Sequence, residues 1–326
     1  MKAICIETVN DQPELFLRDI PEPVPGPTEL LVRVRGAAVN FADLYRFVSH
    51  YGHDTESAHA VAGLEMAGEV IGMGDDVKGF AIGDRVMAMA AKTYAEQCVV
   101  DYRIVMRVPV NLTWEEAAAT PVALMTAHDA LITNGELQKG EVVFIEATTS
   151  SIGLAAAQIA RHFGAGQVFG TSGSPEKLDR MAELGLTRAI NYRDEDFVKV
   201  IQAETDGRGA DVTLAQIGGE TAGRLINAAA VKGRIINVGR LGKWTGEIDL
   251  NEHSAKRIKM IGVTFRTRDV HEHGAVAAAT EKDLYPLLES GGFKCIVDRV
   301  FPLAEADAAQ KYMKQNKHFG KIILSV

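Results

Sequence analysis

The sequence predicts an α/β protein, a doubly wound parallel sheet joined to a smaller, barrel-like β part. Three observations carry this. Residues 1–110 hold short β-like runs punctuated by glycine and proline, the texture of several short strands with close turns. From Gly140 onward, strand-length apolar runs alternate with helix-length runs, as parallel strands joined by crossover helices do. Between these parts, from Thr113, the sequence turns helical. A chain of 326 residues is long enough for two domains with their own cores.

In chain order, "PEPVPGP" (Pro21 to Pro27) reads as a stiff loop, since proline cannot join a central ladder. "ELLVRVRGAAV" (Glu29 to Val39) sets Val32 and Val34 against Arg33 and Arg35, the alternation of a half-buried strand. "GLEMAGEVIGMGDDVKGFAIGDRVMAM" (Gly63 to Met89) holds further short strands. Thr113 is placed to cap a helix, with Glu116 three residues on completing a capping box, and Pro121 separates two helical pieces. "EVVFIE", "QVFGT", "ADVTLAQ", "GRIINVG" and "IKMIGVTF" read as strands; "GLAAAQIARHFG" and "SPEKLDRMAELG" read as helices. The tail adds a helix, "ADAAQKYMKQN", and a last strand, "GKIILSV".

Composition excludes several functions. Hydrophobic residues make up 47% and charged residues 24%, with a formal charge of −8 and no basic block, so nucleic acid and anionic membrane surfaces are not expected partners. The apolar run from Ala117 to Leu131 is broken by Pro121, His128 and Asp129 and is too short to span a bilayer. Cys5, Cys98 and Cys295 are widely separated and odd in number, which fits free thiols in a reducing cytosol. The opening residues acquire charge too early for a signal peptide. A cytoplasmic protein is expected.

The chemistry centres on "IEATTSSIG" (Ile145 to Gly153), which follows a strand and opens a helix. A helix N-terminus there would offer free N–H groups and its dipole to a dinucleotide pyrophosphate. Such turns are usually glycine-rich. Here Gly153 is left for helix packing, and Thr148 and Ser151 stand where glycine is usual. Their hydroxyls either donate to phosphate or hold it away. Thr171 lies at roughly the twenty-residue spacing where NAD-preferring folds place an acid for the ribose hydroxyls. "GTSGSPEK" has no Asp or Glu from Thr171 to Ser174, and Lys177 follows. Loss of the carboxylate and gain of a cation suit a 2′-phosphate, hence NADP.

"VNFADLY" (Val39 to Tyr45), the Gly63–Val86 segment, "TAHDAL" (Thr126 to Leu131), "SIGLAAAQIA" (Ser151 to Ala160) and "GKIIL" (Gly320 to Leu324) together resemble the zinc-independent quinone oxidoreductases of the medium-chain dehydrogenase/reductase superfamily. "TFRTRD" (Thr264 to Asp269) and "KYMKQNKHFGKIIL" (Lys311 to Leu324) resemble most the branch of that family that contains the p53-inducible quinone oxidoreductase. The resemblance implies a Rossmann doubly wound parallel sheet over residues 123–263, inserted into a GroES-like β-barrel catalytic domain formed by residues 1–122 and 264–326. Substrate and nicotinamide meet in a cleft, and homodimers are common. Zinc-dependent relatives place a cysteine near Asn40 and a His-Glu pair at Leu64-Glu65. Asparagine and leucine supply neither thiolate nor imidazole, so no metal is expected. His271 and His273, in "HEH", read as a solvated loop.

Without a Lewis acid the chemistry rests on the cofactor's hydride and on hydrogen-bond donors. The resemblance places Asn40, Asp43, Tyr45 and Tyr51 on the substrate side, with either tyrosine donating to a substrate oxygen or serving only as wall. Asp43 orients neighbours or transfers protons. Thr126 flanks the nicotinamide or packs its helix. Thr148, Ser150, Ser151, Ile152 and Gly153 fall at the pyrophosphate, and Gly173, Lys177 and Tyr192 around the 2′-phosphate. Gly239, Arg240, Leu241, Phe265 and Arg266 border the nicotinamide. Ile217 passes under the adenosine or only closes a turn, and Lys317 reaches the ribose or only solvent. The implied activity is NADPH-dependent reduction of a quinone or enone. A 2-enoyl-thioester reductase and a non-catalytic NADPH-binding protein remain as alternatives.

Overall fold

The computed structural model describes residues 1–45 and 60–326. The chain divides into two compact units, one of residues 1–122 with 265–326 and one of residues 123–264.

The first unit opens with a hairpin, β1 (Lys2–Val9) and β2 (Gln12–Asp19), paired antiparallel. Asn10 and Asp11 both adopt positive φ at its tip, the geometry that matches strand twist in a two-residue turn. Its larger sheet runs β14 (Val297–Pro302), β15 (Lys321–Ser325), β3 (Glu29–Val39), β4 (Glu65–Met73), β5 (Arg85–Met89) and β7 (Val105–Arg107), with β6 (Gln97–Asp101) also on β3. In β3, Val32 and Val34 point into a core with Leu30, Val70, Ile322 and Leu324, while Arg33 and Arg35 stay exposed. Helix α1 (Trp114–Ala118) carries the expected Thr113–Glu116 capping box, and α2 (Pro121–His128) starts at Pro121.

The second unit is a six-stranded parallel sheet in the order β10 (Arg188–Asn191), β9 (Gln167–Ser172), β8 (Val142–Ile145), β11 (Ala210–Ala215), β12 (Ala229–Asn237) and β13 (Lys259–Gly262). Its strands read as near-continuous apolar runs because both faces are covered. Helix α3 (Ser151–His162) follows β8, and α4 (Pro175–Asp179) follows β9. α5 (Phe197–Glu204), α6 (Thr221–Ala228) and α7 (Leu250–Lys256) complete the wrapping. Phe144 of β8 stacks on Phe197 of α5 with centroids 5.1 Å apart; burial of such a ring contributes about 1.5–3 kcal/mol. Strand order reverses between β8 and β11, the point at which open α/β sheets bind ligands outside their carboxyl ends.

Two sequence expectations are corrected. "SPEKLDRMAELG" is not one helix: α4 stops at Asp179 and a 3-10 turn follows at Ala182–Leu184. "HEH" is not a solvated loop but the first turn of α8 (Val270–Glu289), capped by Asp269, which accepts from the His271 and Glu272 N–H groups. His273 packs its ring 5.1 Å from Phe265, and burial pushes its pKa down to about 4. The last helix, α9 (Ala306–Lys314), packs on the β-rich core through Ala306, Ala309 and Met313.

Candidate functional site

In the Rossmann unit the candidate residues collect at the carboxyl ends of the parallel strands. The turn after β8 begins with Ala147 at φ 46°, a left-handed conformation uncommon for a residue with a Cβ. Ser150 caps α3: its Oγ accepts from Gly153 N at 3.1 Å. The Ser151 and Ile152 N–H groups, next in the first turn, make no hydrogen bond among the described residues. A twelve-residue helix thus has unused donors and its positive dipole end at this turn.

Gly153 fits because nothing else can. A Cβ there would lie 2.5 Å from the Thr148 carbonyl oxygen and 2.6 Å from its Cα. Thr148 itself departs from the sequence expectation of a phosphate contact. It is fully buried, its N–H donates to Thr171 O at 2.9 Å, and its side chain fills the space over Gly170, where a Cβ would meet Thr148 Oγ1 at 2.6 Å. The side chain is a strut between the turn and β9. Thr149 Oγ1 and Ser172 Oγ, 2.9 Å apart, make a second link between the turn and β9.

From Thr171 to Ser174, at the end of β9, the chain holds no acid, and Glu176 in α4 is the first to follow; here Gly173 meets Tyr192. A Cβ on Gly173 would lie 2.5 Å from the Tyr192 hydroxyl and 3.1 Å from Arg193 Nε. Tyr192 follows β10 and is exposed; Lys177 lies in α4, capped by Ser174. Gly173 and Tyr192 thus come together; Lys177 lies four residues beyond Gly173, in the first turn of α4. Arg193, which sequence reasoning missed, joins Gly173 and Tyr192. Its only signal was a second cation beside Tyr192.

Two further residues of this edge were missed. Glu146 and Gln216 are both buried, at the ends of β8 and β11. The Gln216 and Ile217 N–H groups donate to Glu146 Oε2 at 2.9 and 3.1 Å, and Gln216 Nε2 donates to Glu146 O at 2.6 Å. Burial raises the Glu146 pKa against these bonds and one to Thr221. Gly239, Arg240 and Leu241 follow β12; Leu241 N donates to Gln216 O at 3.0 Å. Ile217 is half-buried at the end of β11, and Thr126 is buried on α2.

In the β-rich unit, Asn40 and Asp43 face inward. Asn40 Nδ2 donates to Glu65 Oε1 at 2.8 Å and to Ala38 O at 3.3 Å, while its Oδ1 accepts from Lys321 Nζ at 2.5 Å. Lys321 Nζ also pairs with Glu65, whose second oxygen accepts from Val122 N at 2.9 Å. Asp43 Oδ2 accepts from Asn40 N at 2.8 Å and from the Tyr94 hydroxyl at 2.7 Å. Burial pushes the Asp43 pKa up to about 6 against those bonds. Both ends of the Asn40 amide are therefore engaged. Tyr45 closes a 3-10 turn, and Tyr51 lies outside the described residues. Phe265 is half-buried beneath the Arg268 guanidinium, 4.8 Å from the ring centroid, and Arg266 and Lys317 are exposed. No three His, Cys, Asp or Glu side chains are grouped to hold a metal ion among the described residues. No helix among them is long and apolar enough to cross a membrane.

Two family profiles match the chain: the alcohol dehydrogenase GroES-like domain over residues 26–110 and the zinc-binding dehydrogenase over residues 151–281. Quinone oxidoreductase-like protein 2 of Mus musculus is 28% identical over 325 residues, which covers 99% of this chain and 91% of that protein. The highly reducing polyketide synthase gloL of Glarea lozoyensis is 30% identical over 308 residues, 92% of this chain. The chain matches only 12% of the synthase's length. The solved structure of mycobacterial Rv1454c complexed with NADPH matches over 100% of both chains, with 25% identity and a TM-score of 0.87.

Proposed function

Because the chain belongs to the medium-chain dehydrogenase/reductase superfamily, we propose that this oxidoreductase uses NADPH to reduce a quinone or an α,β-unsaturated carbonyl without a metal ion. The observation that carries the cofactor is the carboxyl edge of the parallel sheet. The Ser151 and Ile152 N–H groups at the start of α3 are unused among the described residues, Gly173 meets Tyr192 and Arg193, and no acid stands from Thr171 to Ser174, with Lys177 following in α4. The structure solved with NADPH and the quinone oxidoreductase-like relative support the same reading.

When bound, NADPH supplies a hydride at its nicotinamide. The chain's own residues bind and orient. The α3 turn takes the pyrophosphate through backbone donors, which favour an anion there by dipole and hydrogen bond together. Lys177 and Arg193 hold the adenosine end by charge-assisted bonds. On the substrate side, Asp43 and Tyr94 fix the Asn40 backbone, and Lys321 fixes its side chain. The acceptor is already electrophilic, so it needs only orientation and a proton from water or a tyrosine.

The donor set around Asn40 does not fit zinc. Glu65 is committed to Lys321 and Asn40, and a dication would sit beside the Lys321 ammonium. An amide in place of a thiolate gives a poor ligand.

We further place the protein in the cytosol, which suits its three free thiols. We also propose a homodimer through edge strand β13, supported by its outer side, which pairs with no strand among the described residues, and by exposed Met260. Light scattering at a monomer mass would remove it.

A second reading has one specific support, the polyketide synthase segment: reduction of a 2-enoyl thioester. Spectrophotometric loss of NADPH with a panel of quinones, enones and enoyl thioesters separates the two. Turnover of quinones or enones above thioesters is expected. NADPH binding without turnover of any acceptor would leave a cofactor-binding protein.

A further inference from the structure

Ser150 stands where the resemblance puts a pyrophosphate contact, yet its hydroxyl is already spent. Its single proton goes to Gln216 Oε1 at 3.2 Å, and it accepts from Gly153 N at 3.1 Å. The Gln216 amide cannot be turned the other way. Its Nε2 donates to the Glu146 carbonyl at 2.6 Å, and a flip would set oxygen against oxygen. Gln216 in turn is held from behind, since its own N–H and that of Ile217 donate to the Glu146 carboxylate. Its carbonyl accepts from Leu241 N at 3.0 Å, on the loop after β12. Both Gln216 and Glu146 are 2% exposed.

We propose that Gln216, braced by Glu146, is a positioning residue for the dinucleotide: it fixes Ser150 and the first turn of α3, and through its backbone the Gly239–Leu241 loop. The proposal rests on the dinucleotide reading of this edge. Ser150 acts through Gln216 rather than on the phosphate, because a hydroxyl that has given its proton to one acceptor cannot donate to another. The Glu146–Gln216 lock thus does by side-chain bonding what a glycine-rich turn does by close backbone packing. It sits where β8 and β11 part, so a single residue sets both the pyrophosphate turn and the loop beside it.

The test is a double-mutant cycle on NADPH affinity, read by quenching of protein fluorescence, with Ser150→Ala, Gln216→Ala and both together. Each single variant should weaken NADPH about fivefold to tenfold, the worth of a hydrogen bond or two. The double variant should lose no more than twofold beyond the worse single. At saturating NADPH, kcat should stay within about twofold of wild type while KM for NADPH rises, and Ser150→Thr, which keeps the hydroxyl, should restore affinity. If Gln216→Ala does not fold, Gln216→Met keeps the volume and carries the same expectation. Wild-type affinity in the Gln216 variants, or losses that multiply in the double variant, overturns the lock alone. A wild-type protein that binds neither NADPH nor NADH overturns the dinucleotide reading as well.

Discussion

Lys321 and Glu65 form an ion pair in the interior of the β-rich unit, their side chains 3% and 0% exposed, and Asn40 hydrogen-bonds to both. The pair lies 256 residues apart in sequence and ties β15 to the start of β4. It also occupies the carboxylate that a metal would need. Stability and chemistry therefore share one element, and both can be tested on it.

Breaking the pair from one side should be costly. Lys321→Met leaves a buried carboxylate with no counter-charge, and a loss of about 3–5 kcal/mol is expected in chemical denaturation. Lys321→Met with Glu65→Leu should recover part of that loss, because no unpaired charge remains. A loss under about 1 kcal/mol in the single variant would show that the ammonium contributes little.

Metal removal should do nothing. Dialysis against a strong chelator should leave reductase activity within experimental error, and added zinc should not raise it. Loss of activity restored by zinc would contradict the donor-set argument.

Asp43 predicts a pH dependence whose sign is fixed. Its folded-state pKa is raised from 3.8 to about 6 by burial, so the folded protein holds a proton that the unfolded chain has released. This group's stabilising contribution is complete below the unfolded value and is lost as pH rises through the folded one. With about 1.36 kcal/mol per unit, the stability of wild type relative to Asp43→Asn should fall by about 2–2.5 kcal/mol between pH near 4 and pH near 7. Denaturation curves of both proteins at the two pH values check it; a difference that does not change, or that grows with pH, contradicts it.

Gly153→Ala should weaken both fold and cofactor binding. The added methyl meets backbone atoms of Thr148 at 2.5–2.6 Å, and backbone does not yield as a side-chain tip does. A destabilisation of about 1–3 kcal/mol is expected, with a rise in KM for NADPH, both readable by thermal melts and steady-state kinetics. Unchanged KM would mean that α3 does not hold the pyrophosphate.

The sequence carried the features that depend on local chemistry. Alternation marked β3, apolar runs marked the parallel strands, and Thr113 with Glu116 marked the cap of α1, because each is written within a few residues. α8 escaped because its first turn, "HEH", is polar and its apolar face only emerges later in the helix. Thr148 could be read from the sequence either as a phosphate donor or as an obstruction, and only the packing over Gly170 shows where its side chain goes. Glu146 and Gln216, 70 residues apart, and Lys321 with Glu65 had no local signature at all. Buried polar partners of this kind are matched through the fold, so one member alone looks like an ordinary surface residue.

The central claim, an NADPH-preferring reductase, is tested most directly by one comparison: kcat/KM for NADPH and for NADH in wild type and in Lys177→Ala, with one quinone as acceptor. Losing a charge-assisted bond to the 2′-phosphate should cost about 1.5–3 kcal/mol, a fall of roughly tenfold to a hundredfold with NADPH and little change with NADH. Equal losses with both cofactors, or a wild-type preference for NADH, would contradict the account.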